Sequence, residues 1–391
     1  MLTRRRLQLL KDILQQPAAP FREQHVVRCV STHLEQASVP YFLDPVGNLI
    51  VGVGSERAYR RLLQQRHKEP VRVFIAHMDH PGFHGVRWLA PNRLAIQWHG
   101  GSPIKHLAGA KMWLANDDAL LGYGRLAKPS LLKAGWAMNS AELRLDSSAL
   151  LTAVAGSRAK SLFGGFAFRS HSWISGKRLY TRAADDLVGV FSIVATALDL
   201  QRRKEPAPFI GVLTRAEEVG FVGAVQHLEL GWLTEARRPL VCVSLEASRT
   251  LPGARIGKGP VVRQGDRRTT FDSSLLKVLS DIADKLLPNS HQRRVMDGGA
   301  CEATAATAWG LPTIGITLPL GNYHNQGFEG GMDCPKTEGP APEFVHLDDI
   351  AGELRLCRGL MQPGLNWGDP WQTTRRRLSK NARHYNPLIK T

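Results

Sequence analysis

Residues 71–85 read VRVFIAHMDHPGFHG. The run VRVFIA (71–76) has the length and the Val/Ile content of a strand buried on both faces. His77 follows it at once, at the carboxyl end of that strand, and two further histidines and an aspartate crowd the turn beyond. His80 and His84 are four residues apart, the spacing at which a helix brings two imidazoles to one metal. Pro81 and Gly82 lie between them and would break such a helix, so a helical metalloprotease motif is excluded. The turn instead makes His77 a candidate ligand. Asp79 is then the acceptor for its other ring nitrogen, and His80 and His84 are pocket or surface histidines.

Working outward, PFIGVLT (208–214), PLVCVSL (239–245) and PTIGITL (312–318) are further strand-type runs. They alternate with helical stretches at 187–204 and at roughly 272–287, 300–309 and 347–361. Two helices, the first ended by Pro17, and two short strands about the Pro45–Gly47 turn precede them. The alternation predicts an α/β fold with a mostly parallel sheet flanked by helices. From about 86 to 178 the rhythm changes to short alternating pieces with many Gly turns. The expected organisation is an α/β metallohydrolase domain from 1–85 and 179–362, a small β-domain inserted at 86–178, and a tail over 363–391.

In an open α/β sheet, ligands bind beyond the carboxyl ends of the strands. Acids and histidines stand at those places. Glu217 and Glu218 follow strand 208–214, and Glu246 follows 239–245. His324 lies just past 312–318, and Asp185 and Asp186 precede the helix at 187. Singly, each has a plain reading as a cap, an acidic turn or a loop histidine. Together with His77 they supply two imidazoles and three carboxylates for a pair of divalent ions, one carboxylate bridging, with zinc, cobalt or manganese all suited. Glu217 is then left free as general base for a water activated by the ion pair.

Composition narrows the class. The hydrophobic fraction is 43%, ordinary for a globular chain, and no apolar run reaches the length of a bilayer span. The Arg-rich start lacks the apolar core of a secretory signal; a transit peptide is the alternative to a first helix. Five scattered cysteines without a CxxC pair argue against a disulfide framework and fit a reducing cytoplasm. Net charge is +17, much of it in Arg doublets and in the tail, which carries Arg375, Arg376, Arg377, Lys380, Arg383 and Lys390. Such a tail could hold a polyanion such as nucleic acid, but no recognition motif accompanies it, and a solvated extension is the plainer reading.

Several stretches resemble the glutamyl-aminopeptidase family of dinuclear zinc peptidases, which includes the tetrahedral aminopeptidases. They are DPVGNLI (44–50), AHMDHPGF (76–83), ADDLVGV (184–190), TRAEEVGFVGA (214–224), SLEAS (244–248), GKGPVV (257–262) and GGACEATAATAWGLPTIGI followed by YHN. The resemblance covers roughly residues 5–362 and implies a zinc-exopeptidase fold with its β-domain between His77 and Asp185. It implies Asp185 as the bridging ligand, His77 and Glu246 on one metal, Glu218 and His324 on the other, Glu217 as base and Asp79 orienting His77. It also implies an unusual peptide bond, often cis, between Asp185 and Asp186. The sequence departs from the family where Glu246 replaces an Asp, where His80 replaces an acid, where GGACEA places Glu302 at an expected Asp, and in the basic tail.

The expected function is a metal-dependent aminopeptidase acting on small peptides, as a homo-oligomer joined through the β-domain. The basic charge could favour acidic N-terminal residues by steering. The rivals are deacylase or carboxypeptidase action on the same ions, and a polyanion-binding protein with a vestigial hydrolase domain. A glycosidase fits poorly, because it needs two facing carboxylates and no metal.

Overall fold

The seven residues Val71–His77 are all buried, and their side chains alternate between two cores. In the computed structural model, which describes residues 2–204 and 208–389, Val71, Val73 and Ile75 meet Tyr59, Leu63, Leu228 and Trp232. Phe74 and Ala76 join the larger core on the opposite face. The two-residue period of a strand does this sorting, and double-sided burial is why the run reads as continuously apolar.

The chain opens with α1 Arg4–Leu14, α2 Gln24–Gln36, β1 Tyr41–Leu43, β2 Leu49–Val51, α3 Glu56–Gln64 and β3 Val71–His77. Then come β4 Gly82–Ala90, β5 Arg93–His99, β6 Lys111–Ala115, β7 Leu120–Leu131, β8 Met138–Arg144, α4 Ser148–Val154 and β9 Phe163–Phe166. Next are β10 Ser172–Ser175, β11 Arg178–Thr181, α5 Leu187–Arg203, β12 Phe209–Thr214, α6 Val222–Glu229 and β13 Leu240–Arg249. After them run β14 Val261–Asp266, α7 Ser273–Leu286, β15 Gln292–Met296, α8 Glu302–Ala308, β16 Thr313–Leu320, β17 Glu343–His346, α9 Leu347–Leu360 and α10 Gln372–Ile389.

The α/β expectation holds. Among the described residues the main sheet has the order β1-β2-β12-β3-β13-β16-β14-β15. Its centre, β12-β3-β13-β16, is parallel throughout, and β2 and β14 flank that centre antiparallel. Helices α1, α2, α5, α7 and α9 cover one face, and α3, α6 and α8 the other. Helix α5 is apolar nearly all round because it is walled in, with every residue from Leu187 to Ala197 buried.

Strands β4-β5-β8-β7-β6-β9 form a closed barrel around Phe83, Leu94, Ile96, Trp98, Met112, Leu114, Leu126 and Leu143. Gly164 permits the closure: β9 lies between β4 and β6, and a Cβ there would sit 2.0 Å from the Trp113 carbonyl oxygen. The barrel strands run from Gly82 to Phe166, whereas β10 and β11 pair with β17 in a separate three-stranded sheet. The limit of 86 read from sequence therefore falls inside β4, and that of 178 falls on the first residue of β11, beyond the last barrel strand. The glycine-bearing turn after His80 is already the first barrel strand.

The tail is solvated, as expected, and helical. Residues Gln372–Ile389 form a helix, and none of its described residues is buried. Trp371 just before it donates its indole N–H to Ser274 Oγ at 3.3 Å. Lys390 and Thr391 lie outside the described residues.

One buried acid away from the sheet edge makes stability depend on pH. Glu353 of α9 accepts a hydrogen bond from Ser192 Oγ at 2.7 Å, and burial pushes its carboxyl up to about 8. Between the ordinary carboxyl range and about 8 the unfolded chain has released this proton while the folded one keeps it. Stability contributed by the neutral group is thus complete at low pH and lost as pH rises through that window, by roughly 1.4 kcal/mol per unit. Glu353→Gln, neutral at every pH, should therefore gain in melting temperature relative to the parent between pH 5 and pH 9. A gap between the two that stays constant across that range would show that Glu353 does not titrate there.

Candidate metal centre

The parallel strands bring their carboxyl ends to one edge. His77 ends β3 in register with Thr214, the last residue of β12. A single-turn helix, Glu217–Val219, follows β12 and carries Glu217 and Glu218. Glu246 lies within β13 opposite Thr317 of β16. His324 stands in the turn Tyr323–Asn325 after β16, with φ of 54°. Asp185 immediately precedes Asp186, which caps α5 by accepting the Gly189 N–H at 3.2 Å; the peptide bond joining the two aspartates is cis.

These residues form one cluster. Asp185 Oδ1 is 3.3 Å from His77 Nε2, and its Oδ2 is 3.7 Å from His324 Nε2. Glu218 Oε2 lies 3.1 Å from His324 Nε2, and Glu217 Oε2 lies 3.8 Å from His77 Nε2. Two triads, His77–Asp185–Glu246 and Asp185–Glu218–His324, each have a set of ligand atoms within 4.8 Å of one another, and Asp185 belongs to both. His77, Glu217 and Glu218 form a third such group.

Asp79 is placed differently from the sequence expectation. His77 Nδ1 donates to the backbone carbonyl of Asp79 at 3.1 Å, while the nearer carboxylate oxygen is 3.7 Å away. The turn after His77 brings that carbonyl inward, and the carboxylate instead accepts the N–H groups of Glu217 at 2.9 Å and Glu218 at 3.2 Å. Asp79 thus fixes His77 through its backbone and the two glutamates through its side chain.

His80 contacts the site without joining the cluster. Its Nδ1 is 2.8 Å from the Asp185 carbonyl and its Nε2 3.2 Å from Asn325 Oδ1. His84 bonds the Pro20 carbonyl at 2.8 Å, and burial together with His99 lowers its pKa to about 4.

The electrostatics are those of a site built around positive charge. Burial raises Glu217 and Glu246 well above the usual carboxylate range, and repulsion from neighbouring acids adds to it. Burial acts to lower His77, but Glu217, Asp185 and Asp79 outweigh it and hold the imidazole well above its usual value. His77 Nε2, His324 Nε2, Asp185 Oδ1, Glu218 Oε1 and Glu246 Oε2 are all buried and have no hydrogen-bond partner. Such atoms are scarce and costly in folded proteins. Five on residues of the two triads, as imidazole nitrogens and carboxylate oxygens, fit divalent cations of the zinc type.

Three contributors escaped the sequence reading. Glu343 of β17 is buried, and its carboxylate accepts the N–H groups of Ala184, Asp185 and His324. Its sequence signal is an acid opening the apolar run EFVH (343–346). Gly101 follows β5 of the barrel, and a Cβ there would lie 1.9 Å from His324 Nδ1; the GG pair at 100–101 is the trace of that close approach. Glu302, noted only as a departure, is buried and accepts the Thr214 hydroxyl at 2.6 Å. A cavity of about 610 Å³ opens onto Glu217, Glu218, Glu246 and His324 and is lined by Trp136, Phe221, Phe328 and the arginines 249, 267 and 268.

Comparison with known proteins agrees with this arrangement. The chain matches no curated protein. Among solved structures it resembles the TET1 peptidase of Pyrococcus horikoshii, which assembles into a tetrahedron or a large octahedral shell; the TM-score is 0.68 at 21% identity, over 92% of this chain and 99% of that one. An aminopeptidase of Desulfurococcus kamchatkensis aligns with a TM-score of 0.70 at 20% identity, over 93% and 97% of the two chains. A TET aminopeptidase from a marine-sediment Thaumarchaeota archaeon gives 0.70 at 18% identity, over 92% and 97%. The family model of M42 glutamyl aminopeptidases matches residues 60–328, well over half of the chain, and the protein therefore belongs to this family of metal-dependent peptide hydrolases.

Proposed function

We propose that the protein removes N-terminal residues from small peptides with two divalent ions, zinc in the first instance, held at the centre described above. His77, Asp185 and Glu246 would hold one ion, and Asp185, Glu218 and His324 the other. The observation that carries this reading is Asp185, whose two oxygens face different histidines at 3.3 and 3.7 Å. When bound, such an ion pair lowers the pKa of water and polarises the scissile carbonyl. Glu217 stands beside both triads without being needed in either, so its carboxylate is free to take the proton from the attacking water and return it to the leaving amine. Asp79 keeps Glu217 and Glu218 at their posts through the backbone.

The arginines 249, 267 and 268 on the cavity wall favour substrates with an acidic first residue. Arg249 is itself steadied, 3.7 Å above the Phe328 ring and 3.8 Å from Glu329. The same reading takes 86–178 as an inserted β-domain built on the barrel, through which copies of the chain associate, as the TET1 peptidase associates into shells. Among the described residues no helix is long and apolar enough to cross a membrane, and the five cysteines are free thiols, in keeping with a reducing cytoplasm.

The test is metal content measured beside hydrolysis of aminoacyl-amides, free and N-acetylated, with Glu and Leu side chains at low and high salt. About two ions per chain and turnover of free-amine substrates only is the expected result, with the Glu amide preferred and that preference falling as salt rises. Turnover confined to acetylated substrates would transfer the same centre to a deacylase. Equal, salt-independent rates for Glu and Leu amides would remove the acidic preference.

A further inference from the structure

We infer that Glu343 is a positioning residue chiefly for one of the two ion sites, Asp185–Glu218–His324, and that the His77–Asp185–Glu246 site, which Glu343 reaches only through the shared Asp185, depends on it less. The inference rests on the dinuclear reading above. Glu343 opens β17, paired with Thr181 of β11, and is fully buried. Its Oε2 accepts the N–H groups of Ala184 at 2.7 Å and Asp185 at 3.1 Å, and its Oε1 accepts the N–H of His324 at 2.9 Å. One carboxylate thus ties the bridging aspartate to a histidine 139 positions later in the chain.

The two sites differ in what else holds them. His77 and Glu246 lie in central strands, where ladder pairing with Thr214 and Thr317 fixes their backbones. Glu218 is fixed by the Asp79 carboxylate. His324 has no ladder: it sits in a turn at positive φ, where its N–H points away from the sheet and finds Glu343. Asp185 retains a second hold through its carbonyl, which His80 binds at 2.8 Å. Loss of Glu343 therefore frees His324 most, Asp185 less, and His77 and Glu246 not at all.

The experiment is a titration of the chelator-stripped protein with Co²⁺, followed by visible absorption and equilibrium dialysis, for the parent, Glu343→Gln and Glu343→Asp. Gln keeps one acceptor oxygen but turns an NH₂ group on the remaining N–H donors; Asp keeps the charge and falls a methylene short, so it guards against a variant that does not fold. The parent should take two equivalents. Each variant that folds should take the second ion about 10–100-fold more weakly, the usual effect of removing a group that orients a ligand, and the first with a clearly smaller loss, since only the shared Asp185 is loosened there. Melting of the metal-free proteins is measured alongside. Equal affinity for both ions in parent and variants would overturn the inference, as would a parallel weakening of both ions with a lowered metal-free melting temperature, the mark of a merely structural role. A parent that binds fewer than two ions would overturn the dinuclear reading itself, and the inference with it.

Discussion

Glu217→Gln should leave both ions bound and lower kcat by about 10²–10⁴-fold, the contribution of a positioned general base. Glutamine preserves the shape of the side chain and its packing against the cluster, so the change removes proton acceptance and little else. The backbone N–H of Glu217, held by Asp79 at 2.9 Å, is untouched. The fall corresponds to about 3–5 kcal/mol of lost transition-state stabilisation and should be carried by kcat rather than KM. The group His77–Glu217–Glu218 offers the competing outcome, since it too has ligand spacing. If metal content falls together with activity, Glu217 is a ligand rather than the base, and the proton must be taken elsewhere.

How much of this could be read from the chain depends on where each residue sits. Strand β3 and helix α5 were legible because they are buried on nearly every side, so their apolar runs are unbroken. Strands β14 and β15 were not. QRRVM alternates buried and exposed residues at the edge of the sheet, and VVRQGD, buried at every position but Gln264, carries Arg, Gln, Gly and Asp, compositions that a loop can also produce. The same limit moved the barrel boundary, because GFHG carries two glycines yet pairs as a strand with β5 and β9.

The cluster itself was legible for a topological reason. Parallel strands deliver their following residues to one edge, so a search just past each apolar run finds the metal-type side chains. Residues that act through backbone contacts leave no such mark. Glu343 belongs to a different sheet and meets Asp185 only by folding. Gly101 contributes by lacking a side chain against His324. Asp79 was placed at the right point with the wrong partner. Spacing brings it beside His77, but only the turn's geometry decides whether carbonyl or carboxylate faces the ring.

Asp185→Asn should reduce the metal content to at most one ion per chain and bring peptide hydrolysis down by a further order of magnitude or more than Glu217→Gln does. The two triads share this residue and no other, so its carboxylate is the one charge that acts on both ions. With Asp185, Glu218 and Glu246 ionised, the ligand set would place three negative charges against the two dications proposed above, which would repel each other. Asparagine leaves two, places a donor NH₂ where an acceptor oxygen had faced an imidazole, and removes the bridge that screens one cation from its neighbour. The fold should survive: the Asp185 N–H still has Glu343 and its carbonyl still has His80, both backbone contacts that the substitution does not touch. Melting of the metal-free variant close to that of the metal-free parent, with ion stoichiometry reduced and activity abolished, is the pattern expected of a bridging ligand. Full retention of two ions would instead mean that Asp185 bridges nothing. The triads would then have to be filled independently, and the close approach of its oxygens to His77 and His324 would be a matter of packing alone.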